Sequence, residues 1–142
     1  MAIESVIIKS SSNSAELQLS ERNGLFLSEG SEYYRVTLKA KDIVASTKIY
    51  AFEPHSELWR YFEDLAVNWR GWVGEKQWNS LEGEFTISSE SDAPGHIEMD
   101  IVLKSGVDWS VQTAISLDVV QLEDISSKLK QFFSEQNYPA NL

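Results

Sequence analysis

The feature that most constrains the fold is a strict alternation of apolar and polar positions in the second half of the chain. Apolar residues occupy every second position from Ile97 to Leu103, and the same period runs from Trp109 to Leu117, interrupted only by Thr113. A period of two places alternate side chains on opposite faces of a β-strand. Both segments are therefore predicted to be strands with one face toward a core.

The same period occurs in the first fifty residues. Residues 3–9 and 43–52 are rich in β-branched side chains, and shorter alternating runs lie between them. Asn23-Gly24 and the segment 92–95 mark turns, because their residues tolerate the backbone angles that tight turns require. Together with the later segments, this predicts about seven to eight antiparallel strands joined by short turns.

Two segments have a helical period instead. Leu58, Phe62, Leu65 and Trp69 recur at spacings of four, three and four, which predicts a helix over residues 57–70 with Ser56 as its N-cap. The second helix follows Asp118 and Gln121, which have the spacing of a capping box. Its apolar stripe is Leu122, Ile125, Leu129, Phe132 and Phe133.

Strands grouped apart from helices indicate the α+β class, with two helices packed on an antiparallel β-sheet. The chain has 142 residues, the size of one typical domain, and it contains no repeat and no low-complexity linker. We therefore expect a single domain over residues 1–142, with a loosely ordered tail at 137–142.

The chain lacks the motifs that usually accompany catalysis. It has no cysteine, and its two histidines, His55 and His96, fall in no metal-binding spacing. No nucleophile elbow and no glycine-rich phosphate loop is present. The acids at 82, 84, 90 and 92 lack the ligand order of an EF-hand. We expect no enzymatic activity, no catalytic residue, no bound metal and no cofactor.

The charge of the chain restricts its partners. The net charge is −10, and residues 82–124 contain ten acids but only one base, Lys104. Such a charge opposes direct binding to nucleic acid or to an anionic membrane, so a charged partner should be basic. The N-terminus does not resemble a signal peptide, and no apolar run is long enough for a membrane span. These features predict a cytoplasmic protein.

Alternation predicts that acids of the predicted strands and turns in this region point outward together. The residues concerned are Glu84, Glu90, Glu98, Asp100 and Asp108. Two interpretations stay open. The acidic surface is either a solvated face that maintains solubility or a docking surface for a basic protein.

A second local feature is an aromatic corner, residues 69–78, with three tryptophans and two glycines. Trp69 continues the stripe of the first helix and is predicted to be in the core. The corner either closes one end of the core or leaves one indole exposed as a binding anchor, and Trp72 is the best candidate for that anchor.

At this corner the sequence resembles the WapI-type bacterial immunity proteins, and the resemblance spans essentially the whole chain. The shared pattern contains Phe62, Ala66, Trp69, Gly71, Trp72, Gly74 and Trp78, then Leu81-Glu82-Gly83, Gly95-His96-Ile97, the strand at Trp109 and a final helix ending in Phe132-Phe133.

The resemblance implies an antitoxin that binds and neutralises the C-terminal nuclease domain, a tRNA-cleaving one, of the WapA cell-wall-associated contact-dependent toxin. An acidic surface suits that partner, because a nuclease that grips phosphates needs a basic surface. On this view Glu84, Glu90, Glu98, Asp100, Asp108 and Trp72 are the candidate toxin-binding residues. The alternative is a small-molecule or lipid-binding module with no catalytic role, which would need a pocket lined by the aromatic corner.

Overall fold

The computed structural model describes residues 4–23, 32–51 and 58–134. In these ranges the chain forms eight strands and two helices. In chain order they are β1 (Ser5–Lys9), β2 (Glu16–Asn23), β3 (Glu32–Ala40), β4 (Ile43–Ala51), α1 (Leu58–Val67), β5 (Lys76–Asn79), β6 (Phe85–Ala93), β7 (His96–Ser105), β8 (Trp109–Asp118) and α2 (Val119–Phe132). The predicted tail and the predicted N-cap Ser56 lie outside the described residues.

The strands form two antiparallel four-stranded sheets in which chain neighbours pair. The first sheet has the order β1-β2-β3-β4, and the second sheet has the order β5-β6-β7-β8. The predicted α+β class, with antiparallel strands and two helices, is confirmed. The strands divide into two sheets of four, and α1 lies between β4 and β5 in the chain.

One apolar core joins both sheets and both helices. Strand β7 shows how the strands contribute to this core. Its alternate residues Ile97, Met99, Ile101 and Leu103 are at most 1% exposed, while the residues between them are partly or fully exposed. Burying such side chains is worth roughly 1.5–3 kcal/mol each. The outer face of each sheet therefore receives the polar side chains.

Helix α1 buries Leu58, Phe62 and Leu65 as predicted, but it ends before Trp69. The Asn68 side-chain amide donates to the Asp64 carbonyl oxygen at 2.9 Å, and the chain turns there. Trp69 is 40% exposed, so its predicted position in the core is wrong. Its ring is instead contacted by the Arg70 guanidinium, 5.2 Å from the ring centroid.

All five residues of the predicted stripe of the second helix are buried, so that prediction is confirmed. The backbone N–H of Asp118 donates to Gln121 Oε1 at 2.9 Å, as the capping spacing requires. Helix α2 packs against α1, where Ser126 Oγ donates to the Trp59 carbonyl oxygen at 3.2 Å. The two helices thus support each other on the core.

The turn between β1 and β2 covers the open edge of β8. Ser11 N–H donates to the Ser116 carbonyl oxygen (2.8 Å), and Ser116 N–H donates to Ser10 Oγ (3.0 Å). Asn13 Nδ2 donates to the Ala114 carbonyl oxygen at 3.0 Å. An edge strand with free backbone groups is a site for unwanted pairing, and these contacts satisfy part of that edge. They also fix the position of Ser116.

Candidate functional site

The outer face of the second sheet collects acids at the end where β6 turns into β7. Antiparallel register places Glu98 opposite Glu90 on one side and Ser116 on the other, and Asp100 lies one outward position further along β7. Asp118 is opposite His96 in the same face. We call this end of the sheet the acidic face; its acids are Glu90, Asp92, Glu98, Asp100 and Asp118.

Glu90 and Glu98 face each other as a like-charge pair. Directly opposite residues of an antiparallel pair have Cβ atoms about 4.5–5.5 Å apart, and like charges in that position destabilise the sheet. Glu90 and Asp100 are exposed. Within residues 4–23, 32–51 and 58–134, neither of these two carboxylates makes a hydrogen bond or an ion pair. Of the three carboxylates of Glu90, Glu98 and Asp100, only that of Glu98 therefore has a base nearby in those segments, the His96 ring.

Glu98 is held more firmly than its neighbours. Its Oε1 accepts a hydrogen bond from Ser116 Oγ at 2.5 Å. Ser12 Oγ, in the turn between β1 and β2, in turn donates to Ser116 Oγ at 2.8 Å. The Ser116 hydroxyl therefore links this turn of the first sheet to the Glu98 carboxylate. These two hydrogen bonds restrict the conformation of the Glu98 side chain.

His96 lies between two carboxylates of the acidic face. Its Nδ1 is 2.5 Å from Asp92 Oδ1, and its Nε2 is 3.8 Å from Glu98 Oε1. The hydrogen bond with Asp92 raises the pKa of His96 above its usual value, and the charges of Asp92, Glu98 and Asp118 act in the same direction. The imidazole is thus biased toward its charged form by the acids around it.

Gly95, in the turn that precedes His96, is hydrogen-bonded both to the aromatic corner and to the start of α2. Gly95, with φ of 78°, donates its N–H to the Trp69 carbonyl oxygen and accepts from Val119 N–H, both at 2.9 Å. A residue with a side chain rarely adopts that φ, so glycine suits this position. The aromatic corner and the start of α2 therefore hold the acidic end of the sheet in place.

The structure does not bring the predicted Glu84 and Asp108 into this cluster. Glu84 neighbours Lys104, whose N–H donates to the Glu84 carbonyl oxygen at 2.8 Å. Lys104 lies six residues along β7 from Glu98, which is about 20 Å at roughly 3.4 Å per residue. Asp108 is in the β7–β8 turn, beyond that end of the sheet. Register along the strands therefore separates these two acids from Glu90, Glu98 and Asp100.

Sequence reasoning did not include Asp92, His96 and Asp118 among the site residues. From the sequence, Asp92 is predicted to be a turn residue and Asp118 a helix cap. The signal that could have found them is the hairpin itself, because a turn at 94–95 pairs residues 93 and 96 and extends the acidic row.

Trp72 lies at the edge of the second sheet, against Ser89, the residue that precedes Glu90 in β6. It is half-buried, its Nε1–H donates to the Ser89 carbonyl oxygen at 3.4 Å, and the Lys76 ammonium is 5.6 Å from the centre of the indole ring. The Tyr61 hydroxyl donates at the same place, 2.6 Å from Ser89 Oγ. Burial raises the pKa of Tyr61 to about 12. These contacts pack the corner against β6.

The first sheet has the opposite character on its outer face. Register aligns Lys9, Glu16 and Lys39 in one row, and Arg35 lies opposite Lys48 in another. Arg35 Nε is 3.5 Å from a Glu21 carboxylate oxygen. In these rows the acids of the first sheet therefore have bases beside them, whereas Glu90 and Asp100 of the acidic face do not, within the part of the chain that the structure describes.

Two surface grooves are lined by described residues. One, of about 220 Å³, is bounded by Tyr33, Arg35 and Lys48 on the first sheet. The other, of about 290 Å³, lies between α1 and α2 and is flanked by Glu63 and Glu123. Neither groove is lined by the aromatic corner that the small-molecule alternative requires.

Comparison with known proteins gives a family but no function. The model of a family of unknown function, DUF6228, matches residues 8–136. No curated protein matches the sequence. The structure of the plant transcriptional regulator PBF-2 is similar to this chain at 8% identity and a TM-score of 0.48, over 94% of this chain and 81% of that one. No helix in the described ranges is long and apolar enough to cross a membrane.

Proposed function

We propose a role for this chain, which belongs to the DUF6228 family of unknown function: it is an immunity protein that binds and neutralises a basic nuclease domain through its acidic face. The partner we infer is the C-terminal, tRNA-cleaving domain of a contact-dependent toxin of the WapA type. The specific choice of toxin comes from the sequence resemblance, and the acidic face supplies the physical support.

The observation that carries the proposal is the like-charge arrangement of Glu90, Glu98 and Asp100, in which Glu90 and Asp100 have no ion-pair partner among the described residues. Repulsion between them costs folding stability, and a surface that only maintains solubility would disperse its charges. Proteins commonly give up stability where function demands it. A basic partner would turn the repulsion into attraction, so the arrangement makes physical sense for a bound state.

A nuclease provides such a partner because its substrate path must be cationic to hold phosphates. Carboxylates on neighbouring strands project from backbones about 5 Å apart and form a negative array across the sheet. An array of this kind can occupy the substrate path and exclude RNA. Because the acids lie on strands rather than on loops, the ordering cost on binding is small.

Inhibition of cleavage is the direct test of this role. The purified chain should stop cleavage of tRNA by a WapA-type nuclease domain when added at a stoichiometric amount, and added salt should weaken the effect. The control is an unrelated acidic protein of equal net charge, which should not inhibit at the same concentration. Full cleavage in the presence of excess chain at low salt would overturn the proposal.

A further inference from the structure

We propose that Asp92, His96 and Glu98 form a binding site for one divalent transition-metal ion of the Zn²⁺ type, in which His96 and Glu98 are ligands and Asp92 is the positioning residue. The proposal rests on the geometry of these side chains and is independent of the proposed function.

The two ring nitrogens of His96 face different carboxylates. Nδ1 lies 2.5 Å from Asp92 Oδ1, so in the neutral ring the proton is held on Nδ1 and donated to the carboxylate. Nε2 is then an acceptor, and 3.8 Å from it lies a second acceptor, Glu98 Oε1. A positive charge between them stabilises such a pair: a proton on Nε2 supplies it in the imidazolium form, and a metal ion can supply it with the neutral ring.

The separation suits a metal ion. Zinc binds imidazole nitrogen at about 2.0–2.1 Å and carboxylate oxygen at about 2.0–2.2 Å, so one ion can span 3.8 Å between Nε2 and Oε1. One atom from each of the three side chains lies within 4.8 Å of the other two. Imidazole combined with carboxylate favours Zn²⁺, Ni²⁺ or Cu²⁺ over Ca²⁺ or Mg²⁺, which prefer oxygen alone.

Both ligands are already oriented by a second layer of hydrogen bonds. Asp92 fixes the His96 ring, and a carboxylate on the far nitrogen is the arrangement that raises the basicity of a metal-binding histidine. Ser116 Oγ fixes Glu98, and Ser12 fixes Ser116. Asp118, opposite His96 in register, adds a third negative charge near the ion. Water would complete the coordination.

The proposal revises the expectation of no metal, which rested on sequence motifs. The acids and the histidine occur as D-x-x-x-H-x-E across a bulge and a turn, and no standard metal motif has that spacing. The chain contains no cysteine and only one other histidine, His55, so few other soft ligands compete for the ion.

The test is titration of the purified chain with ZnCl₂ by calorimetry, together with NMR of the two histidine rings with Co²⁺ as a paramagnetic probe. The native chain should bind one Zn²⁺, and Co²⁺ should broaden the His96 ring signals. Substitution His55→Gln assigns the two rings. Asp92→Asn should weaken Zn²⁺ binding by about 10–100-fold, as loss of a partner of a ligating histidine does.

Two further variants make the result decisive. His96→Gln and Glu98→Gln should each abolish stoichiometric binding, while Glu63→Gln, which removes a charge on α1 outside the acidic face, should leave the affinity unchanged. If His96→Gln and Glu98→Gln bind Zn²⁺ as the native chain does, or if all variants bind weakly without stoichiometry, the ion is adventitious and the proposal is overturned.

Discussion

Replacing Glu90 by Gln should stabilise this protein, although most substitutions destabilise. Glu90 lies opposite Glu98, and Asp100 is its diagonal neighbour on β7. Charges about 6 Å apart in a water-like dielectric of about 80 repel by roughly 0.7 kcal/mol, and the diagonal pair at about 7–8 Å adds roughly 0.5 kcal/mol. Glu90→Gln removes both repulsions, so the free energy of unfolding should rise by about 1 kcal/mol at low salt.

Urea unfolding followed by tryptophan fluorescence measures this gain at several salt concentrations. At about 1 M salt the screening length is about 3 Å, so the gain should fall below roughly 0.3 kcal/mol.

The matched control is Glu16→Gln on the first sheet, where Lys9 and Lys39 lie on either side of the glutamate. The same chemical change there should destabilise by up to about 1 kcal/mol. If both variants lose stability equally, or if Glu90→Gln shows no dependence on salt, the like-charge argument is wrong.

Other predictions concern the core and the aromatic corner. Phe62→Ala should lower the free energy of unfolding by about 3–5 kcal/mol, because Phe62 is fully buried. The control Val67→Ala, at a side chain that is 74% exposed, should change the free energy of unfolding little. A loss below about 1 kcal/mol for Phe62→Ala would contradict the packing described for α1. The pKa of Tyr61 is raised from 10.0 to about 12, so its contribution to stability is complete below pH 10 and is lost as pH rises toward 12. Tyr61→Phe should remove that loss in pH-dependent unfolding, and an unchanged profile would show that Tyr61 is not responsible.

Period and chemistry were enough to predict most of the fold. The alternating apolar residues of β7 and the apolar stripe of α2 each form one face that packs against the core, and both were predicted correctly. The end of α1 was not, because it depends on Asn68 bonding back to Asp64, a local competition that hydrophobic spacing does not show. Trp69 therefore lies outside the core, contrary to the prediction from spacing.

The site was predicted only in part, for a reason of geometry. Alternation gives the face on which an acid lies but not its position along the neighbouring strand. Register separates Glu84 from Glu98, and the turn at Gly95 brings Asp92 onto His96. Neither relation can be read from one strand alone, so Glu90, Glu98 and Asp100 were recognised as a group while Asp92 and Asp118 were missed.

The central claim is that the acidic face meets a basic nuclease domain, and charge reversal tests it most directly. The association rate of the chain with the WapA-type nuclease domain is measured by stopped flow against ionic strength for three forms: native, Glu90→Lys/Asp100→Lys and Glu63→Lys/Glu123→Lys. The last pair changes the net charge equally but lies on the helices. We predict that reversal on the acidic face slows association by at least about 10-fold at low salt and flattens the salt dependence, while reversal on the helices has a much smaller effect. Equal slowing by both pairs, or none by the first, would contradict the claim.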